Sequence, residues 1–231
     1  MKELIANSVY FGAALSLVCF AIGLNLKKKF KYELCNPLLI AMILVIIILK
    51  VFDIEFKDYD NGAKYITYLM QPATVCLAIP LYKQVQVLKK NIAAILIAIF
   101  SGCVTHIVVV VGLGALLHVD MQLITSILPK SVTTPIALGI TQEMDGIAAV
   151  TVIGVVIAGM LGAIIAPLLY KLIKVEEPIA QGLGLGTASH AVGTSKAVEL
   201  GEIQAAMSSL AIVVTGIMTV IMVPVVVSWL T

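Results

Sequence analysis

The sequence predicts an all-α polytopic membrane protein with about six full transmembrane helices and two broken helical segments. Of the 231 residues, 61% are hydrophobic and 12% are charged, whereas soluble domains are about half apolar and a quarter charged. The mean hydropathy of +1.10 is correspondingly high. Two stretches rich in Pro, Gly and hydroxyl side chains interrupt the apolar background, and they predict the broken segments.

Uncharged apolar runs predict the spanning helices, because about 20 apolar residues cross the hydrocarbon core of a bilayer. The N-terminal run is also typical of a signal peptide, but no small-residue cleavage site follows it and the lysines at 27–31 form a stop-transfer flank. We therefore expect it to stay attached as the first helix. The predicted spans are 4–26, 37–54, 65–82, 91–117, 146–170 and 203–230.

Lysines predict the orientation, because positively charged loops stay in the cytoplasm. The lysines at 27–31 place the end of the first helix inside and the N-terminus outside. The acidic stretch 53–64 is then an outer loop, and the lysines within 83–90 lie inside.

Two later stretches do not fit a topology in which each helix simply crosses the membrane in the opposite direction to the one before it. Lys171 and Lys174 end the span 146–170 and direct it inward, so residues 121–145 begin and end outside. Residues 178–201 similarly begin and end inside. Irregular backbone at membrane depth is tolerated where protein buries it or where it lines a wet cavity. We expect re-entrant segments, with outright crossing as the alternative.

An internal repeat accompanies these interruptions. Three Pro- or Gly-marked stretches begin at Pro72, Pro129 and Gly186, in two equal steps of 57 residues. Successive copies face opposite sides, as in the inverted repeats of secondary transporters. Chance alignment within a chain rich in Ala, Ile, Val and Gly is the alternative. The predicted organisation is a single domain, 1–231, with an N-terminal helix pair, 1–64, followed by interrupted-helix repeats, 65–231.

The interruptions predict a site for an anion such as a carboxylate. Broken helix ends leave free backbone N–H groups and a partial positive charge. Lys130 and Lys196 beside the breaks add full charges, although either could instead extend to headgroups. Hydroxyl and imidazole groups add hydrogen bonds. The predicted substrate-binding residues are Thr74, Lys130, Ser131, Thr133, Thr134, Pro135, Thr187, Ser189, His190, Gly193, Thr194, Ser195 and Lys196.

Other polar residues receive structural interpretations. His106 is interpreted as an interhelical hydrogen bond, and Thr215 as bonding its own backbone or a neighbouring helix. The "GLGLG" at 182–186 lacks the preceding strand of a nucleotide-binding loop and is interpreted as hinge or turn glycine. No nucleophile with a base and no metal-ligand spacing is visible, so we expect no enzyme, no cofactor and no metal. The net charge of +2 is too small to indicate a nucleic-acid partner.

Three motifs resemble the LrgB/CidB family of bacterial inner-membrane proteins: "PATVCLAIPLYKQ", "PKSVTTPIA" and "GTASHAVGTSKA". The resemblance covers essentially the whole chain. It implies an antiholin-like or holin-like regulator of murein hydrolase activity that acts with a small LrgA/CidA-type membrane partner. Relatives also transport small carboxylates, pyruvate in bacteria and glycolate or glycerate in plant plastids.

Three functions therefore compete. A transporter or facilitator of a small monocarboxylate accounts for the polar residues at the paired breaks. An antiholin-like or holin-like homo-oligomer requires polar faces along full-length helices, but 107–117 and 211–227 are almost entirely apolar. A scaffold for the small partner is the third possibility. We favour transport, which is compatible with an indirect effect on lysis.

Overall fold

The computed structural model consists of α-helices and one 3₁₀ turn, with no strand among the described residues, which are 10–30, 37–69, 72, 75–76 and 78–230. The predicted site residue Thr74 lies outside the described residues. The chain divides into two compact units, Met1–Cys76 and Leu77–Thr231.

Three helices of the first unit lie within its continuously described ranges, 10–30 and 37–69, and the first of them packs against both others. Close packing is possible because Gly12 has no side chain: a Cβ atom there would overlap the carbonyl oxygen of Tyr59. The Ser16 hydroxyl also lies 2.8 Å from the Tyr59 hydroxyl. The helices are α1 (Phe11–Phe30), α2 (Pro37–Val51) and α3 (Phe56–Tyr68).

Two predictions for the first unit are wrong. The stretch 53–64 is not a loop, because α3 begins at Phe56 and places Tyr59, Gly62 and Ala63 on one helical face. Charged residues stand between these three residues, so their helical spacing was not recognised in the sequence. A single span over 65–82 is also wrong, since α3 ends at Tyr68.

The second unit contains the predicted broken segments. Its elements are α4 (Ala78–Lys83), α5 (Val85–Leu116), α6 (Met121–Ile127), the 3₁₀ turn Leu128–Ser131, α7 (Thr134–Glu143), α8 (Ala148–Leu172), α9 (Pro178–Leu200) and α10 (Glu202–Leu230).

Four described helices are long and apolar enough to cross a membrane. They are α1, over Phe11–Lys29, and α5, α8 and α10 over their full lengths. These helices confirm the predicted spans 91–117, 146–170 and 203–230 as long apolar helices. They also confirm the span 4–26 from Phe11 onward, whereas 4–9 lie outside the described residues. The predicted span 37–54 corresponds to α2, which is apolar but shorter, at 15 residues.

The first broken segment is a helical hairpin made of α6, the 3₁₀ turn and α7. Pro129 lies in the turn, and Val132 and Thr133 are extended before Pro135 enters the first turn of α7. The side-chain amide of Gln122, at the start of α6, donates to the carbonyl of Asp145, just after α7, at 3.0 Å. The hairpin therefore returns to the end of the unit from which it entered.

The second broken segment is α9, which reverses at Ser189 and His190. Both residues have non-helical backbone angles, with a positive φ of 41° at His190. A Cβ atom on Gly193 would lie 2.5 Å from the carbonyl oxygen of Leu185. Residues eight apart in a straight helix are about 12 Å apart, so the two halves of α9 pack side by side.

The "GLGLG" motif lies inside the first half of α9, so its interpretation as a hinge or turn is wrong. A Cβ atom on Gly182 would lie 2.5 Å from the Gln204 carbonyl oxygen, and one on Gly186 would overlap the Ser208 carbonyl oxygen. Small residues four apart allow two membrane helices to approach closely. These glycines therefore serve the packing of α9 against α10.

The two hairpins enter the second unit from opposite ends. Leu183 of the second hairpin packs with Ile95 of α5 and Met207 of α10, towards the N-terminal ends of those helices. Ile124 of the first hairpin packs in another cluster with Val223, near the C-terminal end of α10. The predicted pair of broken segments is confirmed, whereas the internal repeat stays a prediction.

Candidate functional site

The tips of the two hairpins lie against the central turns of the long helices. The turn Leu128–Ser131 contacts α5, α8, α9 and α10. The α9 tip packs on α8, where glycines leave room for it: a Cβ atom on Gly159 would lie 2.7 Å from the His190 ring. Gly159 is near the middle of α8, so the tips meet at about half the depth of the bundle.

Lys130, on the first tip, is held by a histidine of α5. Its Nζ atom lies 3.1 Å from His106 Nδ1, and His106 Nε2 lies 2.8 Å from the carbonyl oxygen of Leu128. Among the described residues, no carboxylate pairs with Lys130. Lys130 is therefore a half-buried cation, near the middle of the unit, whose described partner is an imidazole.

A small cavity lies between α5, the first tip, α9 and α10. Its free space is about 10 Å³, which is roughly what one water molecule needs. The hydroxyl of Thr215, which lines it, is buried and has no hydrogen-bond partner within the described structure. The residues lining the cavity are Gly102, Cys103, His106, Ile107, Ser131, Thr187, Thr215 and Thr219.

The second tip is held by its own hydrogen bonds. His190 Nε2 lies 3.0 Å from the Val155 carbonyl of α8, so this nitrogen donates. Thr194 bonds the His190 carbonyl at 3.0 Å and the Ser208 hydroxyl of α10 at 2.7 Å. Ser189 is buried beside them, and its hydroxyl has no hydrogen-bond partner in the part of the chain that the structure describes. These bonds maintain the strained backbone at His190.

An open groove of about 490 Å³ connects the surface with the tip region. It runs between α5 and the first half of α9, from Asn91 and Glu177 to Thr187. Thr187 also lines the small cavity, and its methyl group lies 3.0 Å from the Cβ position of Gly102. Thr187 therefore borders both the groove and the cavity.

A family model described as the LrgB-like family matches residues 16–229. The chain belongs to the LrgB-like family. An antiholin-like protein LrgB of Bacillus mycoides (strain KBAB4) is 42% identical over 216 residues, which cover 93% of this chain and 94% of the relative. Proteins of the same name from Bacillus cereus (strain B4264) and Bacillus anthracis (strain CDC 684 / NRRL 3495) are each 41% identical over the same shares. No solved structure gives a significant match.

Family membership confirms the resemblance carried by the three motifs and, with the long apolar helices, shows a multi-pass membrane protein. No group of His, Cys, Asp or Glu among the described residues of this LrgB-like chain has the arrangement of a metal site.

The structure brings part of the predicted LrgB-like site together at the tips. Ser131 and Thr187 line the cavity, and Lys130 is hydrogen-bonded to His106, which also lines it. A second group, made of Ser189, His190, Gly193 and Thr194, is buried around the α9 tip.

The remaining predicted residues lie elsewhere. Thr133 precedes α7 without a side-chain cap, and Thr134 and Pro135 begin that helix. Ser195 is exposed and bonds the Ala191 carbonyl. Lys196 lies near the C-terminal end of α9 and forms an ion pair with Glu199 at 3.0 Å.

Sequence reasoning missed three cavity residues of this LrgB-like chain. His106 does form the predicted interhelical contact, but it also holds Lys130. Thr215 was predicted to bond its own backbone or a neighbouring helix. Its hydroxyl lies beside the Cys103 thiol of α5 and has no oxygen or nitrogen partner among the described residues. Thr219 was not considered. The pairs Gly102–His106 and Thr215–Thr219 repeat at i,i+4 within apolar helices. That spacing places each pair on one helical face and was the available signal.

Proposed function

We propose that this LrgB-like chain carries a small monocarboxylate of the pyruvate or glycolate type across the bacterial inner membrane, with the solute bound where the hairpin tips meet. The observation that carries the proposal is Lys130, a cation at a hairpin tip with no carboxylate partner among the described residues. An interior charge is costly without a partner. A carboxylate solute would supply one.

The surroundings of Lys130 suit a carboxylate. The N-terminus of α7 points towards the tip, and no side chain caps it at Thr133, so its backbone N–H groups favour an anion. Ser131 and Thr215 add hydroxyl donors at the cavity. The site is closed as it stands, because about 10 Å³ holds a water molecule but no carboxylate.

Movement of the hairpins would therefore accompany transport. Hairpins that enter from opposite ends and meet near the middle favour alternating access, in which each tip closes one route to the site. The groove that ends at Thr187 provides one such route. The same arrangement supports our proposal of inverted repeats. The proposal also includes a small LrgA/CidA-type membrane partner and assembly into a homo-oligomer. It further includes an N-terminus on the outside and an indirect effect of transport on lysis.

The second candidate is an antiholin-like role without solute transport. The names of the relatives, "Antiholin-like protein LrgB", favour it. In this case the protein would modulate murein hydrolase activity or export by assembling in the membrane. The long helices do not favour a large lesion, because exposed aliphatic side chains cover them, as at Ile153, Leu161 and Val213.

Uptake into vesicles tests the proposal. Proteoliposomes holding the purified chain would receive labelled pyruvate, glycolate or lactate, with a trapped fluorescent dye to report leaks. We expect saturable, competable uptake with the dye retained. Lys130→Gln should weaken uptake roughly 10- to 100-fold, because a charge-assisted hydrogen bond contributes about 1.5–3 kcal/mol.

The matched control is Lys90→Gln, which removes an exposed lysine at the start of α5 and should leave uptake unchanged. Uptake by Lys130→Gln at the wild-type rate would overturn the proposed site. Dye escape without saturation would favour a lesion. Movement of neither dye nor solute would favour the antiholin-like candidate without transport.

A further inference from the structure

The hydrogen bonds of His106 determine which of its ring nitrogens carries the proton. A backbone carbonyl can only accept, so Nε2, at 2.8 Å from the Leu128 oxygen, is the protonated nitrogen. Nδ1 then carries a lone pair, and the Lys130 ammonium donates to it at 3.1 Å. The imidazole is therefore neutral in this arrangement.

A second proton could bind His106 only at Nδ1. The Lys130 ammonium occupies that atom, so a proton there would break the hydrogen bond and place two cations side by side in the interior. Proton binding at His106 and its contact with Lys130 exclude each other.

Within the described ranges, no other charged group near His106 would relieve this conflict. In addition to Lys130 on the turn, the nearby titratable groups among the described residues are Cys103 of α5, a thiol that lines the same cavity, and His190 of α9, whose Nε2 donates to the Val155 carbonyl of α8. From α10 the neutral hydroxyls of Thr215 and Thr219 line the cavity. The acidic residues of the second unit lie at helix ends or in loops: Asp120, Glu143, Asp145, Glu176, Glu177, Glu199 and Glu202.

A bound carboxylate would favour proton binding at His106 Nδ1 over the contact with Lys130. It would attract the Lys130 ammonium away from Nδ1 and would stabilise an imidazolium at the same place. The buried Thr215 hydroxyl, which has no oxygen or nitrogen partner among the described residues, and Ser131 could then donate to the carboxylate oxygens.

We propose that His106 Nδ1 is the binding site of a coupling proton, so that one monocarboxylate and one proton bind and cross together. This inference rests on the proposed function and names its coupling ion. The anion brings one negative charge and the proton one positive charge, and the loaded site gains no net charge. Both leave together on the other side, which regenerates the neutral imidazole and its bond with Lys130. Charge compensation favours this stoichiometry, because net charge is costly in the bilayer interior.

The decisive variant is His106→Gln. A glutamine amide can donate to the Leu128 carbonyl and accept from Lys130, but it cannot take up a proton. It thus reproduces a permanently neutral histidine. His118→Gln is the matched control, because His118 lies at the exposed end of α5, and melting curves of both variants would check that they fold.

The experiment uses proteoliposomes with a trapped pH-sensitive dye and a defined pH gradient, with protein-free vesicles as the background. For the wild type, pyruvate uptake should acidify the lumen by about one proton per solute without net current. An outer pH one unit lower should drive about tenfold accumulation, since one coupled proton contributes 2.303RT per pH unit. His106→Gln should lose this accumulation, and any remaining uptake should carry current, whereas His118→Gln should behave like wild type.

Binding provides a readout that needs no turnover. Addition of pyruvate to the detergent-purified wild type in weak buffer should remove protons from solution, and His106→Gln should bind pyruvate without removing them.

The outcomes separate the two proposals. Saturable wild-type uptake that carries current, or proton-coupled uptake by His106→Gln, would overturn the coupling site and leave the carrier intact. Absence of wild-type uptake and binding would overturn the carrier itself. If His106→Gln folds but carries no solute, pyruvate binding by this variant with proton removal would overturn the inference, and pyruvate binding without proton removal would support it.

Discussion

Single glycines on α8 determine whether the second tip can dock. A Cβ atom on Gly162 would overlap the Ser189 hydroxyl, and one on Gly159 would lie 2.7 Å from the His190 ring. A side chain at either position would push the tip away from the middle of α8. The predicted role of Ser189 and His190 therefore depends on residues that contribute no polar atoms.

Gly162→Ala tests this dependence. We expect overpacking to destabilise the protein by about 1–3 kcal/mol and to reduce uptake, both measured on purified protein, by melting temperature and in vesicles. Gly112→Ala is the matched control, because no heavy atom lies within 4 Å of the Cβ position of Gly112 in α5. Alanine there should stabilise the helix slightly. Equal effects of the two substitutions would contradict the proposed docking.

The sequence predicted the tip residues but not their partners. Ser131 and Thr187 lie within Pro- or Gly-marked stretches, and their local context was sufficient to single them out. His106 and Thr215 each stand among apolar residues, where a polar side chain is usually a helix contact. Only the fold shows that both reach the same cavity. Lys196 had the right local context, but the geometry pairs it with Glu199.

At the scale of elements, hydroxyl groups attach the first hairpin to α8. Thr151 of α8 bonds the Ser126 carbonyl of α6 at 2.9 Å and lies 2.8 Å from the Thr141 hydroxyl of α7. The Ser126 hydroxyl also accepts from the Ile147 backbone at 2.7 Å. The network is buried and connects both arms of the hairpin with the start of α8.

Thr151→Val should loosen this attachment while keeping the volume of the side chain. We expect a loss of stability of about 0.6–1.7 kcal/mol, the range of interhelical hydrogen bonds in membranes, measured by thermal melting in detergent. Thr105→Val, on an exposed face of α5, should have little effect. A variant at Thr151 as stable as wild type would show that helix packing alone holds the hairpin.

The breaks were predictable as elements because Pro and Gly act locally. Pro129 lies in the 3₁₀ turn and Pro135 in the first turn of α7, where a missing N–H is tolerated, and the extended residues lie between them. Pro167 and Pro224, by contrast, lie inside the continuous helices α8 and α10. The reversal at His190 has no proline, and the neighbouring small residues were the signal. The sequence did not predict α3 because the residues on its packed face are small or aromatic and charged residues stand between them.

At the scale of the whole molecule, the two hairpins predict which loops share a side of the membrane. Gln122 and Asp145 contact each other at one end of the second unit. At the other end, Leu200 lines the same pocket as Lys174, Glu176 and Gln181. Each hairpin therefore leaves its two flanking loops on one side, and the lysines near Glu176 indicate that its side is the cytoplasm.

Cysteine labelling from each side tests this topology. In a background without the native cysteines, Gln122→Cys and Asp145→Cys should react with an impermeant maleimide added outside intact cells. Glu176→Cys and Glu202→Cys should react only after the membrane is opened. All four positions are exposed, so an unreactive thiol would report its side rather than burial. Opposite sides for Gln122→Cys and Asp145→Cys would mean that the first hairpin crosses outright, and the meeting of two tips at half depth, on which the carrier proposal depends, would be lost.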